Sequence, residues 1–241
     1  GAIGAIAVLA SSVAGFLRGI ERADSVALDL HKWLHVPFEA GCVLVRDRSA
    51  HRNTFALTPE YLEPEVRGLA GTSFWFSDYG LQLSREFRAL KVWMSIKEHG
   101  LDRFGRMMDR NVAQAHYLAG LVAADARLQL LAPVTLDIVC FRHRFDRAGD
   151  IDEARRNALN KELLLRLQER GIAAPSSTVL RGQYCIRVAI ANHRSSDADF
   201  AALVADLDPV HIAEANEFGD RLAHGVRALG MAPNDVVFLG L

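Results

Sequence analysis

The stretch Asp29-Leu30-His31-Lys32-Trp33 decides how this chain is read. It sets a lysine after one apolar run, Val26-Ala27-Leu28, and before another, Trp33-Leu34. An amine held between apolar neighbours loses solvation of its charged form and becomes a better nucleophile toward an aldehyde. The same side chain can instead snorkel from a strand end into water, as most lysines do. On either side, residues 24–30 and 41–46 read as two short buried strands, with 31–40 as their connection. His31, His35 and Asp29 raise the question of a metal site. Histidines four apart share a face only on a helix, and the local pattern is strand then loop, so no metal is expected.

With 241 residues, 50% hydrophobic and 24% charged, the chain has the balance of a soluble globular protein and room for one large or two modest domains. A net charge of -1 gives no bulk attraction to nucleic acid or to an acidic membrane, so neither is expected as a partner. Cys42, Cys140 and Cys185 lie far apart in apolar runs without a CxxC pair, which reads as buried reduced thiols in a cytoplasmic setting. The opening residues 1–17 are apolar and small. They lack a basic leader and are short for a membrane span, so a strand end and a helix, cut at an artificial start, is the better reading.

Further along, Pro59, Pro64, Gly68, Gly71 and Ser73 break any periodicity, and residues 53–79 read as a long loop of the kind a domain tolerates when it is functional. Leu83, Phe87, Leu90 and Ile96 suggest a helix over 80–98 that stops at Gly100, and a second follows over 102–123. Strands are expected at 128–131, 136–142 and 184–190, with helices at 152–170 and 197–207, an order that suits a small α+β domain. There is no internal repeat.

The segment Ala23-Asp24-Ser25-Val26-Ala27-Leu28-Asp29-Leu30-His31-Lys32-Trp33-Leu34 resembles the cofactor-lysine region of the pyridoxal-phosphate-dependent group II amino-acid decarboxylases, the aromatic-L-amino-acid decarboxylase family. Further matches follow in that family's order. They are Thr58-Pro59-Glu60-Tyr61-Leu62, Leu83-Ser84-Arg85-Glu86-Phe87-Arg88-Ala89-Leu90-Lys91-Val92-Trp93, Val139-Cys140-Phe141-Arg142, and Ile186-Arg187-Val188-Ala189-Ile190 with Asn192-His193-Arg194. Ordered motifs across residues 1–208 are far more specific than one lysine after a strand. The resemblance implies an α/β, fold-type-I, PLP-dependent transferase-like fold. Residues 1–105 would be the distal part of the large PLP-binding domain and 106–209 an α+β C-terminal small domain. Residues 210–241 form a tail that is weakly similar to the first helix and strand of acyl-adenylate-forming enzymes, and that reads equally as a plain helix, turn and strand.

What the resemblance implies about chemistry is specific to residues. Lys32 would be the Schiff-base lysine for pyridoxal 5'-phosphate, with His31 beside it and Ala2 and Asp29 also near the cofactor. A carboxylate at Asp29 would repel the phosphate unless a donor bridges them. Tyr61 matches the tyrosine of the family's mobile catalytic loop and would return a proton after carbon dioxide leaves, which favours decarboxylation over aldehyde synthesis. Arg187 would bind the substrate carboxylate or serve a structural ion pair. The family's Asp that pairs with the pyridine nitrogen would lie just before Gly1, so the chain resembles the C-terminal portion of such an enzyme. The expected activity is conversion of an L-amino acid, an aromatic one favoured, to its amine and carbon dioxide by a homodimer. The alternatives are an inert fragment or dimerisation scaffold, a PLP aldehyde synthase, or an aminotransferase.

Overall fold

The computed structural model describes residues 2–57, 67–68, 71, 75–145 and 151–207. Two units emerge, Gly1–Gly105 and Arg106–Leu241.

In the first unit, strands β1 (Ser25–Asp29) and β2 (Gly41–Val45) form an antiparallel pair with Ser25 opposite Val45 and Asp29 opposite Gly41. The expectation of two strands is met, but that of buried strands is not. Val43 and Leu44 are 53% and 60% exposed, and Leu28 is the one buried strand residue. A two-stranded ribbon has two faces, and nothing in the described part of this unit covers both. The buried apolar set here lies instead in the connection, where Trp33, Leu34, Val36 and Ala40 are sealed, together with Ala7, Ala10, Val13 and Phe104.

Residues expected to form a strand end and a helix at the start of the chain take up short 3-10 segments, Gly4–Leu9, Ala14–Leu17 and Ile20–Arg22. Gly4, Gly15 and Gly19, the last at a φ of 97°, together with Ser11 and Ser12, interrupt this stretch and disfavour one continuous helix. Gly105 shows how closely the first segment is approached, because a Cβ on it would lie 2.3 Å from the Leu9 carbonyl oxygen. The expected loop from residue 53 overlaps helix α1 (Arg48–Phe55), whose N-cap Asp47 accepts hydrogen bonds from the backbone N–H of Ser49 and Ala50. Helix α2 (Arg88–His99) starts eight residues later than the apolar spacing suggested. Leu81, Leu83 and Phe87 are 94%, 65% and 73% exposed, so the spacing that read as a buried stripe has no surface to pack on.

Helix α3 (Leu101–Ala124) leads into the second unit. There a four-stranded antiparallel sheet has the order β3-β4-β6-β5, built from β3 (Leu128–Leu130), β4 (Ile138–His143), β5 (Ser176–Leu180) and β6 (Gln183–Ala189). Strand β5 is an addition to the expected set, since Ser-Ser-Thr carries little apolar pattern and its edge position asks for little. Val139, Phe141 and Ile186 project from one face of the sheet into a core with Leu118 and Val122 of α3, Leu163 and Leu167 of α4 (Glu153–Glu169), and Phe200 and Leu203 of α5 (Asp197–Ala205). Helix α4 is capped by Asp152, and α5 opens with a capping box between Ser196 and Asp199. The tail from residue 208 lies outside the described residues.

Candidate functional site

Lys32 sits in a turn three residues past the end of β1, and the turn is well pinned. The Lys32 N–H donates to the Asp29 carbonyl at 3.1 Å, the Leu30 N–H to the Ala40 carbonyl at 2.8 Å, and the Val36 N–H to the Leu30 carbonyl at 3.2 Å. The lysine side chain is 46% exposed and its Nζ lies 2.7 Å from an Asp29 carboxylate oxygen. This corrects the expectation of an amine desolvated by apolar neighbours. Trp33 and Leu34 point into the unit's core while Lys32 points out, because a turn does not keep the side chains of successive residues on one face.

Asp29 is joined to Ala2 as well, since its N–H donates to the Ala2 carbonyl at 2.8 Å. The Asp29 carboxyl is held below its ordinary range, chiefly by the hydrogen bond from Lys32, and is anionic at neutral pH. His31 is half-buried. Its Nδ1 accepts from the Ala40 N–H at 3.0 Å, so the proton of the neutral ring sits on Nε2. Its ring meets Phe38 edge to face at 4.9 Å between centroids. Glu39 completes this arrangement through a 2.7 Å ion pair with Arg88 at the start of α2. In the sequence Arg88 stands only within the motif from Leu83 to Trp93. Its structural role is now definite, and only a charge pairing across 49 positions could have signalled it.

Lys32, His31, Asp29 and Ala2 are thus brought together. Tyr61 lies outside the described residues. Arg187 belongs to the second unit, at the centre of β6 and opposite Cys140 of β4. Its guanidinium donates to the Ser176 Oγ at 3.2 Å and forms no ion pair among the described residues. It lines a cavity of about 690 Å³ with Ser176, Asn192, Arg194, Val188 and Phe200. Two arginines, three uncharged polar side chains counting Ser195, and an apolar wall suit a small organic anion, and the one carboxylate on the lining, Asp199, is engaged by the Ser196 N–H and hydroxyl. Asn192 and Arg194 follow β6 in sequence, and the fold is what gives them a cavity to line.

Two further features of the second unit bear on its electrostatics. Asp137 is fully buried, neither carboxylate oxygen has a well-formed hydrogen bond among the described residues, and burial pushes its carboxyl up to about 6, its own backbone N–H and then the charge of Arg187 pulling the other way. Cys185 is pushed up to about 11 by burial and by the neighbouring Cys140 thiol, so it is a poor nucleophile. Cys42 is only partly buried, unlike the expectation for it, because β2 lacks cover. Among the described residues no group of three His, Cys, Asp or Glu side chains could hold a metal, and no helix is long and apolar enough to cross a membrane.

Comparison with known proteins places this geometry. The chain is 34% identical over 204 residues to the aromatic-L-amino-acid decarboxylase of Bacillus atrophaeus, a match covering 85% of this chain and 42% of that protein. It is 40% identical over 175 residues to the histidine decarboxylase of Drosophila melanogaster, covering 73% and 19%. Among solved structures it resembles the crystal structure of Oryza sativa TDC with PLP and tryptamine, with a TM-score of 0.77, 27% identity and coverage of 86% of this chain and 43% of that one. The chain therefore spans less than half the length of these relatives, and its fold is the distal part of the α/β fold that they share. The pyridoxal-dependent decarboxylase conserved domain matches residues 1–144, more than half of the sequence, and the chain belongs to that family.

Proposed function

We propose that the protein catalyses pyridoxal-phosphate-dependent decarboxylation of an L-amino acid, an aromatic one favoured, to the amine and carbon dioxide. The observation that carries this reading is the exposed amine of Lys32, pinned in its turn within the segment that matches the family. The residues fit an aldehyde cofactor at this point, since a primary amine is accessible and His31 is fixed next to it in sequence with Nε2 as its donor. Pyridoxal phosphate, when bound, supplies the aldehyde and a ring that accepts the electrons released as carbon dioxide departs.

Within this reading Lys32 holds the cofactor and gives it up to the substrate amine. His31, Asp29 and Ala2 line the cofactor side. Tyr61 delivers the proton that replaces carbon dioxide. Arg187 holds the substrate carboxylate, supported by its place on the cavity and by its making no ion pair among the described residues. The assembly is a homodimer in the cytoplasm.

The test is to add pyridoxal phosphate to the purified chain, reduce with borohydride and map the labelled peptides. Labelling at Lys32 that disappears in Lys32→Ala is expected. Scattered or absent labelling overturns the assignment of this lysine. Product analysis then separates the reactions, with amine and carbon dioxide expected rather than aldehyde and ammonia or a keto acid.

A further inference from the structure

We propose that Asp29 is a positioning residue that sets the reactivity of Lys32, holding its amine as an ion-paired ammonium within the turn. The proposal deepens the functional reading and rests on it for naming Lys32 as the reactive amine.

Geometry carries it. Asp29 ends β1 with its backbone fixed from two sides, by Gly41 across the ribbon and by the Ala2 carbonyl. Its own carbonyl receives the Lys32 N–H, which closes the turn and sets the two side chains side by side at 2.7 Å. Most exposed ion pairs contribute little because two long side chains must be ordered to make them. Here the acidic partner is short and its backbone is already fixed, so only the lysine chain has to be ordered. The carboxylate and the ammonium have no second ion-pair partner among the described residues. His31 is the other described titratable group that acts on Asp29, and it too favours the anion. Because the Asp29 carboxyl stays ionised, it does not take the lysine's proton. It stabilises that proton on the amine.

An ammonium has no lone pair, so any carbonyl reagent meets a nucleophile only when the pair opens and the proton leaves to solvent. Asp29 therefore keeps Lys32 fixed in place but quiet toward stray carbonyl compounds.

Competitive acetylation of the whole chain tests this. Trace acetic anhydride is attacked by the free amine, a C–N bond forms, acetate leaves, and the nitrogen's proton goes to solvent. Lys91, Lys97 and Lys161 serve as internal standards, read by peptide mass over a range of pH. Asp29→Asn should raise Lys32 labelling about threefold relative to the standards at pH 7, a size set by exposed ion pairs. Asp29→Glu should stay near the wild type. In the wild type itself, added salt should raise Lys32 labelling relative to the standards by screening the pair. Unchanged or lower labelling in Asp29→Asn overturns the proposal, and so does a flat salt response, which needs no variant to fold. The reagent needs no cofactor, so failure here leaves the borohydride mapping standing, and failure of that mapping leaves the effect of Asp29 measurable.

Discussion

The ribbon β1–β2 and the sheet β3-β4-β6-β5 are written in similar residues and end in different environments. Cys42-Val43-Leu44-Val45 and Ile138-Val139-Cys140-Phe141 are both continuous apolar runs. Val139 and Phe141 are fully buried, whereas Val43 and Leu44 are more than half exposed. The difference lies in what the second unit adds, three helices whose apolar faces share one core with the sheet. An apolar strand records a demand for cover, and only its neighbours supply it. The candidate chemistry divides the same way. The Lys32 turn sits at the open ribbon, while Arg187 lies on a sheet with a closed core beneath it.

The contrast should be sharpest on truncating equivalent strand residues. Phe141→Ala should cost about 3–5 kcal/mol by removing a ring from a sealed core, and Leu44→Ala less than about 0.5 kcal/mol. Urea unfolding of each variant measures both. Similar losses at the two positions would mean that β2 is covered as well as β4.

A smaller effect separates the units by pH. The buried Asp137 carboxyl titrates near 6, above its unfolded value of 3.8, so its neutral form stabilises the second unit. That contribution is complete below the unfolded value and is lost as pH rises through about 6. It amounts to at most roughly 3 kcal/mol by pH 7. Asp137→Asn should flatten this loss and make the protein more stable than wild type at pH 7, as read from denaturant midpoints at pH 4 and pH 7. A wild-type midpoint that does not fall over this range would show that Asp137 finds a partner.

A smaller loss than that at Asp137 is expected at a helix cap in the first unit. Asp47→Ala removes the N-cap of α1 and should cost about 1 kcal/mol, since two backbone N–H groups lose their acceptor. Thermal unfolding should show a modest downward shift in the first unit, well below that of Phe141→Ala in the second.

Much of the second unit was legible beforehand. Helices α3, α4 and α5 carry regular apolar spacing and capping residues, and β4 and β6 are apolar runs of strand length. Strand β5 was not legible, because an edge strand of Ser-Ser-Thr needs no apolar pattern. Helix α1 was missed since its clear signal is a single cap, Asp47. The start of α2 was misplaced because an apolar spacing exists over 80–87 without a surface to receive it. For the site, the neighbourhood of Lys32, His31 and Asp29 was legible as a run of sequence. Its electrostatics were not, for the reading of a desolvated amine assumed that apolar neighbours in sequence are neighbours in space.

By itself, the sequence determined the order of elements in the second unit, the family, and the residues that carry candidate chemistry, because these depend on local periodicity, caps and motif order. Tertiary structure alone decided that Lys32 faces solvent in an ion pair with Asp29, that Glu39 reaches Arg88, that Arg187 opens on a cavity, and that Asp137 is buried without a hydrogen-bond partner among the described residues. Each of these depends on which groups meet through space, where burial and charge act over a few ångströms regardless of separation along the chain.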